Sequence, residues 1–292
     1  MVTPKAIVLV SGVKIRDTAH EFPCPTAAKV IEHSGRKFKW NTAAGVALAL
    51  NRAGYHVHMV GFSEEDLTLV AHYTANPSLV SYEVADLLMK SDANQVALSA
   101  KELMVAKGLP LHVVHYGGAS TTTQPLPHDT VFLGTLETPP EAAAALIRDN
   151  CETFLQLYQA LRPLFANQAV TKVMSITSIA STRCKTGFAL DALQKGAMHN
   201  LLRSAALDET RNGIYITEIM PGITDTGYYD NPETLRRSLA QARELGYEWQ
   251  KEDFPLFTPE HVGETVRFAL EFPGHMREIS MIPYGQYPHL GA

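Results

Sequence analysis

Three side chains of this sequence stand at spacings that can do chemistry together: Ser178, Asp191 thirteen residues on, and Lys195 four further. A carboxylate and an ammonium four residues apart on one helix face can pair, and a nearby ammonium lowers a carboxyl pKa. Asp191 is therefore expected to be an anion at neutral pH, able to accept a proton from an acidic C–H or hydroxyl and with none to give. Ser178 adds a hydroxyl at the end of an apolar strand, and Asn150 precedes it on a helix. Each also has a plainer reading. Ser178 can cap the loop that follows it, Asn150 can be a polar surface group, and Lys195 can form a surface ion pair worth under ~1 kcal/mol. The twelve histidines show no metal-ligand spacing such as His-Glu-x-x-His, so no metal is assigned.

The elements that must position these groups are strands alternating with helices. Residues 6–10 are a continuous aliphatic run closing on Ser11-Gly12, the pattern of a strand buried on both faces of a parallel sheet. Further strands are predicted over 56–61, 79–84 and 111–119, in an apolar run from Val173 that ends in the 175–181 stretch, in a second run that breaks at Pro221-Gly222, and over 278–286. Helices are predicted from Asn41, over 65–74, over 94–107, from Pro139 to 161, around Asp191 and from Thr258, where Thr is the N-cap and Pro259 the first helical residue. Gly54 follows the first helix in the usual C-terminal position. No repeat, low-complexity tract or interdomain linker interrupts the chain, and a single domain over 1–292 is expected.

The order strand, Ser178, Asp191, Lys195, strand, then Pro221-Gly222-Ile223-Thr224-Asp225-Thr226 resembles the catalytic half of the short-chain dehydrogenase/reductase family. There a Ser is followed thirteen residues later by Tyr and four further on by Lys; here Asp191 stands in place of the Tyr. The resemblance implies a doubly wound, Rossmann-type three-layer α/β sandwich with a parallel sheet of about seven strands. It also implies roles. The Tyr hydroxyl, its pKa lowered by Lys, exchanges the proton while hydride passes to or from a nicotinamide, Ser steadies the substrate oxygen, and the helical Asn links Lys to solvent through an ordered water. In this sequence those positions are Ser178, Lys195 and Asn150, and Thr226 falls where the family contacts the nicotinamide carboxamide, in the segment with Pro221 and Gly222.

The family's Gly-rich loop is altered. Ser11-Gly12 matches its opening, but residues 13–40 are a polar insertion, and Asn41 and Ala43 stand where later glycines belong. Asn tolerates positive φ. Arg36, Lys37 and Lys39 precede the helix and are candidates to hold phosphates in place of lost loop amides, the bland alternative being a solvated basic patch. No carboxylate stands at 61–63, where NAD-dependent relatives bind ribose hydroxyls, so Ser63 is a candidate neighbour of a 2′-phosphate and NADP(H) is the expected cofactor if one binds. The strand end over 115–118 replaces Asn-Asn-Ala-Gly by His115-Tyr116-Gly117-Gly118, with Gly118 retained. Residues 227–257 correspond to the family's substrate lid, making Tyr228 and Tyr229, with Tyr116, candidate substrate residues.

Three functions remain open on these residues. Hydride transfer persists on a small carbonyl or hydroxyl compound, with the proton supplied through Asn150 and Lys195 or by Tyr116, Tyr228 or Tyr229. Alternatively Asp191 acts as a base in an isomerase, lyase or cyclase. Lastly, the chain is a non-catalytic subunit beside an active homologue. A homodimer or tetramer, or such a hetero-oligomer, is expected through the helices near 140–161 and 190–208. The formal charge of −5 argues against nucleic acid as a partner. No apolar run approaches the ~20 residues of a membrane span. Three cysteines without paired spacing and no signal-peptide pattern predict a reducing, cytoplasmic setting.

Overall fold

The computed structural model describes residues 3–117, 138–183, 188–244 and 246–286. Its first strand, β1 (Ile7–Ser11), is buried at every position. The chain then leaves the sheet to form β2 (Ile15–Asp17), β3 (Ile31–His33) and β4 (Arg36–Trp40) before α1 (Thr42–Arg52). After β5 (His56–Gly61) and α2 (Glu64–His72) come β6 (Val80–Val84), α3 (Lys90–Lys107), β7 (Leu111–Tyr116) and α4 (Pro140–Leu161). The second half runs β8 (Thr171–Ile176), α5 (Ala189–Glu209), β9 (Ile214–Pro221), α6 (Pro232–Glu244), α7 (Pro259–Glu271) and β10 (Glu278–Met281).

Seven strands form one sheet in the order β10-β9-β8-β7-β1-β5-β6, and every pairing in it is parallel. Parallel neighbours need crossover helices, and these cover both faces. On one face Leu50, Leu67, Val70, Val262 and Val266 of α1, α2 and α7 pack on the sheet. On the other Val96, Phe154, Leu157, Met198 and Leu202 of α3, α4 and α5 do so. The result is a doubly wound α/β sandwich. The order in which strands are added reverses between β1 and β7, which opens a crevice at the carboxyl ends of those strands.

The insertion is an ordered three-stranded antiparallel sheet, β2-β4-β3. Ser34 (φ 51°) and Gly35 (φ 81°) turn β3 into β4, the paired positive φ values of the tight hairpin turn that suits twisted strands. Trp40 packs edge-on to Tyr73 at 5.4 Å, which fastens the hairpin to the end of α2. A separate apolar cluster joins Phe22 and Cys24 of the insertion to Leu235, Trp249, Phe254 and Leu256 of the segment after β9. The insertion and the segment after β9 therefore share one small core. Lys39, wholly buried, pins them further: its ammonium lies 3.0 Å from Asp225 and 3.0 Å from Asp230, and Thr18 Oγ1 donates to Asp230 at 2.6 Å.

Candidate active site

Strand β8 carries Ser178 just past its end, and α5 starts eleven residues later, so Asp191 and Lys195 face the same opening on its first turns. A cavity of about 210 Å³ is lined by Ser178, Asp191, Lys195, Pro221, Gly222 and Thr226, together with Tyr116, Tyr228 and Tyr229. A narrower, mainly apolar slot of about 80 Å³ adjoins it, lined by Gly12, Asn41, Phe62, Leu87, Leu88 and Thr153. Tyr116 lines both.

Lys195 is buried, and its ammonium donates to the Gly117 carbonyl at 3.0 Å and to Asn150 Oδ1 at 3.3 Å. Among the described residues it makes no ion pair with Asp191 within 4.0 Å, so the expected i,i+4 pair is not formed directly. The reason is geometric: Lys195 reaches inward across the end of β7, while Asp191 turns to the cavity and accepts from Gln194 Nε2 at 3.2 Å. Asn150 closes the chain of contacts, donating to Gln194 Oε1 at 2.6 Å and to the Leu146 carbonyl at 3.0 Å. Burial pulls the Lys195 pKa down, and the Asp191, Cys151 and Glu218 charges pull it back up. Ser178 Oγ accepts the Ala180 amide at 3.1 Å, so it caps the following turn as well as facing the cavity. Behind it Thr177 and His199 both hold Glu218, each at 2.5 Å.

Several predicted cofactor residues are placed otherwise. Arg36 is bound to Asp17 and Glu65, with Asp66 at 3.6 Å, and Lys39 is sealed against Asp225 and Asp230. Neither is available to a phosphate, because carboxylates brought in by the fold already neutralise both. Ser11 is fully buried with its hydroxyl 2.9 Å from His115 Nδ1. That ring is held neutral, its pKa pushed down to about 3 by burial and by Lys195. Ser63 is spent as the N-cap of α2, accepting the Asp66 amide at 3.2 Å. Asn41 is the N-cap of α1 with φ −76°, so it does not use the positive φ it tolerates. Its Nδ2 donates to the Gly12 carbonyl at 2.7 Å and ties the strand end to the helix start. Gly12, at φ +80°, is irreplaceable there, since a Cβ would lie 2.1 Å from the Tyr116 carbonyl oxygen. Gly118 lies outside the described residues.

The three tyrosines separate clearly. Tyr116 faces Thr42 at the start of α1 across the cavity; burial raises its pKa, and Thr42 and Arg16 oppose the rise. Tyr229 packs into the lid core against Phe254 at 5.4 Å. Tyr228 has a buried hydroxyl with no hydrogen-bond partner among the described residues. Its pKa is raised, chiefly by burial and then by Asp191, with Arg16 opposing. Arg16, from β2, stands 5.8 Å over the Tyr228 ring.

Sequence reasoning missed Arg16, Arg183, Thr42 and Gln286. Arg183 lines the main cavity beyond Ser178, and Gln286 accepts the Ile223 amide at 3.0 Å, steadying the loop after β9. Only the insertion's basic character hinted at any of them, and it pointed to the wrong cations. Among the described residues no group of three potential metal ligands occurs, and no helix is long and apolar enough to cross a membrane.

A family model described as enoyl-(acyl carrier protein) reductase, one of the short-chain dehydrogenase/reductase models, matches residues 39–271. The chain belongs to the short-chain dehydrogenase/reductase family. The matched stretch begins at Lys39, so most of the insertion lies outside it. An uncharacterized oxidoreductase of Staphylococcus epidermidis is 22% identical over 240 residues, covering 82% of this chain and 90% of that protein. Among solved structures, an NADPH-bound short-chain oxidoreductase of Pseudomonas aeruginosa containing an atypical catalytic center superposes with TM-score 0.69 at 14% identity, covering 98% of each chain. An alcohol dehydrogenase of the archaeon Thermococcus sibiricus complexed with 5-hydroxy-NADP gives TM-score 0.65 at 17% identity, over 98% of this chain and 99% of that one. The chain is thus an oxidoreductase-family protein of this fold.

Proposed function

We propose that this short-chain dehydrogenase/reductase transfers hydride from NADP(H) to a small polarised double bond. The observation that carries the reading is the retained wiring of Lys195, donating to Gly117 and Asn150 beside Ser178 in one cavity at the crevice. Family decay would leave no reason for an ammonium to stay buried on such partners, since burying a charge is costly without them.

The described residues fit a dinucleotide in two halves. The slot bounded by Phe62, Leu87 and Leu88 suits a flat apolar base, and the cavity between Lys195 and Thr226 suits the nicotinamide end. Between them stand Tyr116, the start of α1, and two cations of the insertion: Lys14, which lines the slot, and Arg16, whose field reaches Tyr116. A helix N-terminus with nearby cations is suited to a pyrophosphate. Preference for NADP(H) rests on the neighbours bound to such cofactors and on the lack of a carboxylate at the end of β5. When bound, the cofactor supplies the hydride.

The chain's own groups orient the acceptor and manage its proton. Ser178 donates to the acceptor heteroatom, and Lys195 brings positive charge to its edge of the cavity. For a carbonyl acceptor the proton comes from Tyr228, whose hydroxyl has no hydrogen-bond partner among the described residues. Tyr228→Phe is expected to lower kcat for a ketone by about 100-fold, the lower range for loss of a general acid, with NADPH affinity kept within about twofold. An equal kcat in the variant would remove Tyr228 from the mechanism. Titration of NADPH and NADH against the protein, followed by nicotinamide fluorescence, tests the whole reading. No binding at millimolar cofactor sinks it.

A further inference from the structure

Two opposite charges face the main cavity and are left unpaired by the described residues. Asp191 has only a neutral amide on one oxygen, from Gln194, and no cation within 4.0 Å. Arg183 lines the same cavity, and its guanidinium makes no hydrogen bond or ion pair with the described residues. A carboxylate and a guanidinium that could each find a partner on the surface are instead held apart in one pocket. The ligand that satisfies both carries one positive and one negative group.

The reaction adds a second constraint. A carbonyl acceptor needs a proton delivered as hydride arrives; the position beside Lys195 carries a carboxylate, and Tyr228, the hydroxyl left to deliver it, is held protonated by burial and by Asp191. An iminium needs none. Hydride adds to the C=N carbon and forms a C–H bond, the π pair becomes the lone pair of the amine nitrogen, and the dihydronicotinamide becomes the pyridinium. One positive charge passes from substrate to cofactor, and no proton moves during the step. An imine that enters neutral takes its proton from water beforehand, and a nearby carboxylate favours that charged form.

Resting on the reading that the site binds a nicotinamide dinucleotide, we propose that its preferred acceptor is a small imino acid, with Asp191 beside the iminium nitrogen and Arg183 on the carboxylate. Asp191 stabilises the cation that accepts hydride, and Arg183 fixes the orientation by a two-pronged contact, the guanidinium's usual way of holding a carboxylate. Ser178 completes the site as a hydroxyl at the edge of the acceptor. Lys195, drawn back onto Gly117 and Asn150, is kept away from Asp191 and leaves that carboxylate free for the substrate.

The test compares NADPH consumption by the intact protein with pyrroline carboxylate, methyl pyrroline, cyclopentanone and a straight-chain oxo acid. The expected result is a kcat/KM for pyrroline carboxylate at least about tenfold above that for either ketone. Asp191→Asn should lower imine reduction by about tenfold or more while NADPH affinity stays within about twofold. Asp191→Tyr should move the preference toward the ketones. Arg183→Gln should lower the ratio of kcat/KM between the carboxylated and uncarboxylated imines by about tenfold. Reduction of the ketones without the imines overturns the inference and leaves hydride transfer standing. NADPH binding with neither class reduced also overturns it. Failure to bind NADPH at all removes the reading beneath it.

Discussion

Replacing Lys39 by methionine is expected to cost ~3–5 kcal/mol of folding stability, the usual penalty for removing one partner of a buried ion pair. Lys39 is completely buried, and its ammonium is shared by Asp225, also completely buried, and by Asp230, which is 5% exposed. Methionine keeps the stem and its packing against Phe22, over whose ring the ammonium stands at 5.3 Å. It removes the charge and leaves two carboxylates facing each other without water. The remaining donors to the pair, the Ala28 amide at 2.9 Å, the Gly227 amide at 3.4 Å and Thr18 Oγ1 at 2.6 Å, do not offset two negative charges. Urea unfolding of the purified variant at neutral pH measures the loss, and an unchanged midpoint with unchanged slope would refute the account.

The pH dependence of that variant follows from the sign of the Asp225 shift. Burial already raises the Asp225 pKa in the native protein, with Lys39 as the largest opposing influence. Without Lys39 the folded-state pKa rises further above the unfolded value. The native state then binds protons more readily than the unfolded chain, so stability falls as pH rises through that window. Mild acid should therefore recover part of the loss in Lys39→Met, and Asp225→Asn added to it should recover part at neutral pH. Because Asp225 precedes Thr226 in the cavity wall, the same variant should also raise KM by loosening the lid.

Lys195→Met is the second large effect, expected on activity rather than folding. The ammonium is the only cation hydrogen-bonded to both the β7 end and Asn150 among the described residues. Methionine preserves the stem, and the cost to stability is limited to the acceptors left behind, ~1–3 kcal/mol. Hydride transfer should fall by about 10²–10³-fold, the range for removing a preorganised charge beside the reacting group. Arginine should not rescue it, because a planar guanidinium cannot take the place of a compact ammonium held between the Gly117 carbonyl and Asn150. Single-turnover absorbance of NADPH separates this loss from weakened binding. A variant that keeps wild-type turnover would mean that the contacts among Lys195, Asn150 and Gln194 are structural only.

The insertion changes what the altered Gly-rich loop means. Its strands do not stand in for the missing glycines as a phosphate loop. They belong to a strap in which Phe22 and Cys24 share a core with the segment after β9 and buried Lys39 ties Asp225 to Asp230. Gly12 still meets the end of β7 at a distance no side chain allows, so the start of the crevice keeps the family's close approach even where the loop beyond it is rebuilt. The cations the insertion does bring to the site are Lys14, which lines the slot, and Arg16, packed against Gly227 and over Tyr228.

How much of this was legible in one dimension depends on the range of the interaction. The doubly wound sheet followed from strands and helices that alternate in sequence, since hydrophobic runs and caps such as Thr258-Pro259 are local. The grouping of Ser178, Asp191 and Lys195 followed too, because their spacing is read along one strand end and one helix face. Boundaries shifted modestly: α3 begins at Lys90 rather than 94, and α2 spans Glu64–His72 rather than 65–74.

What only tertiary structure decided is the partner of each charge. Asp191 and Lys195 are neighbours on a helix, yet Lys195 finds a carbonyl 78 residues away and leaves Asp191 to the cavity. Arg36 and Lys39 look like free cations beside a helix start, but Asp17, Asp66, Asp225 and Asp230 reach them from elsewhere in the chain. Residue type and spacing along one element specify where a group can point. Whether it meets water, an opposite charge or a substrate is set by elements distant in sequence, through contacts that local pattern does not encode.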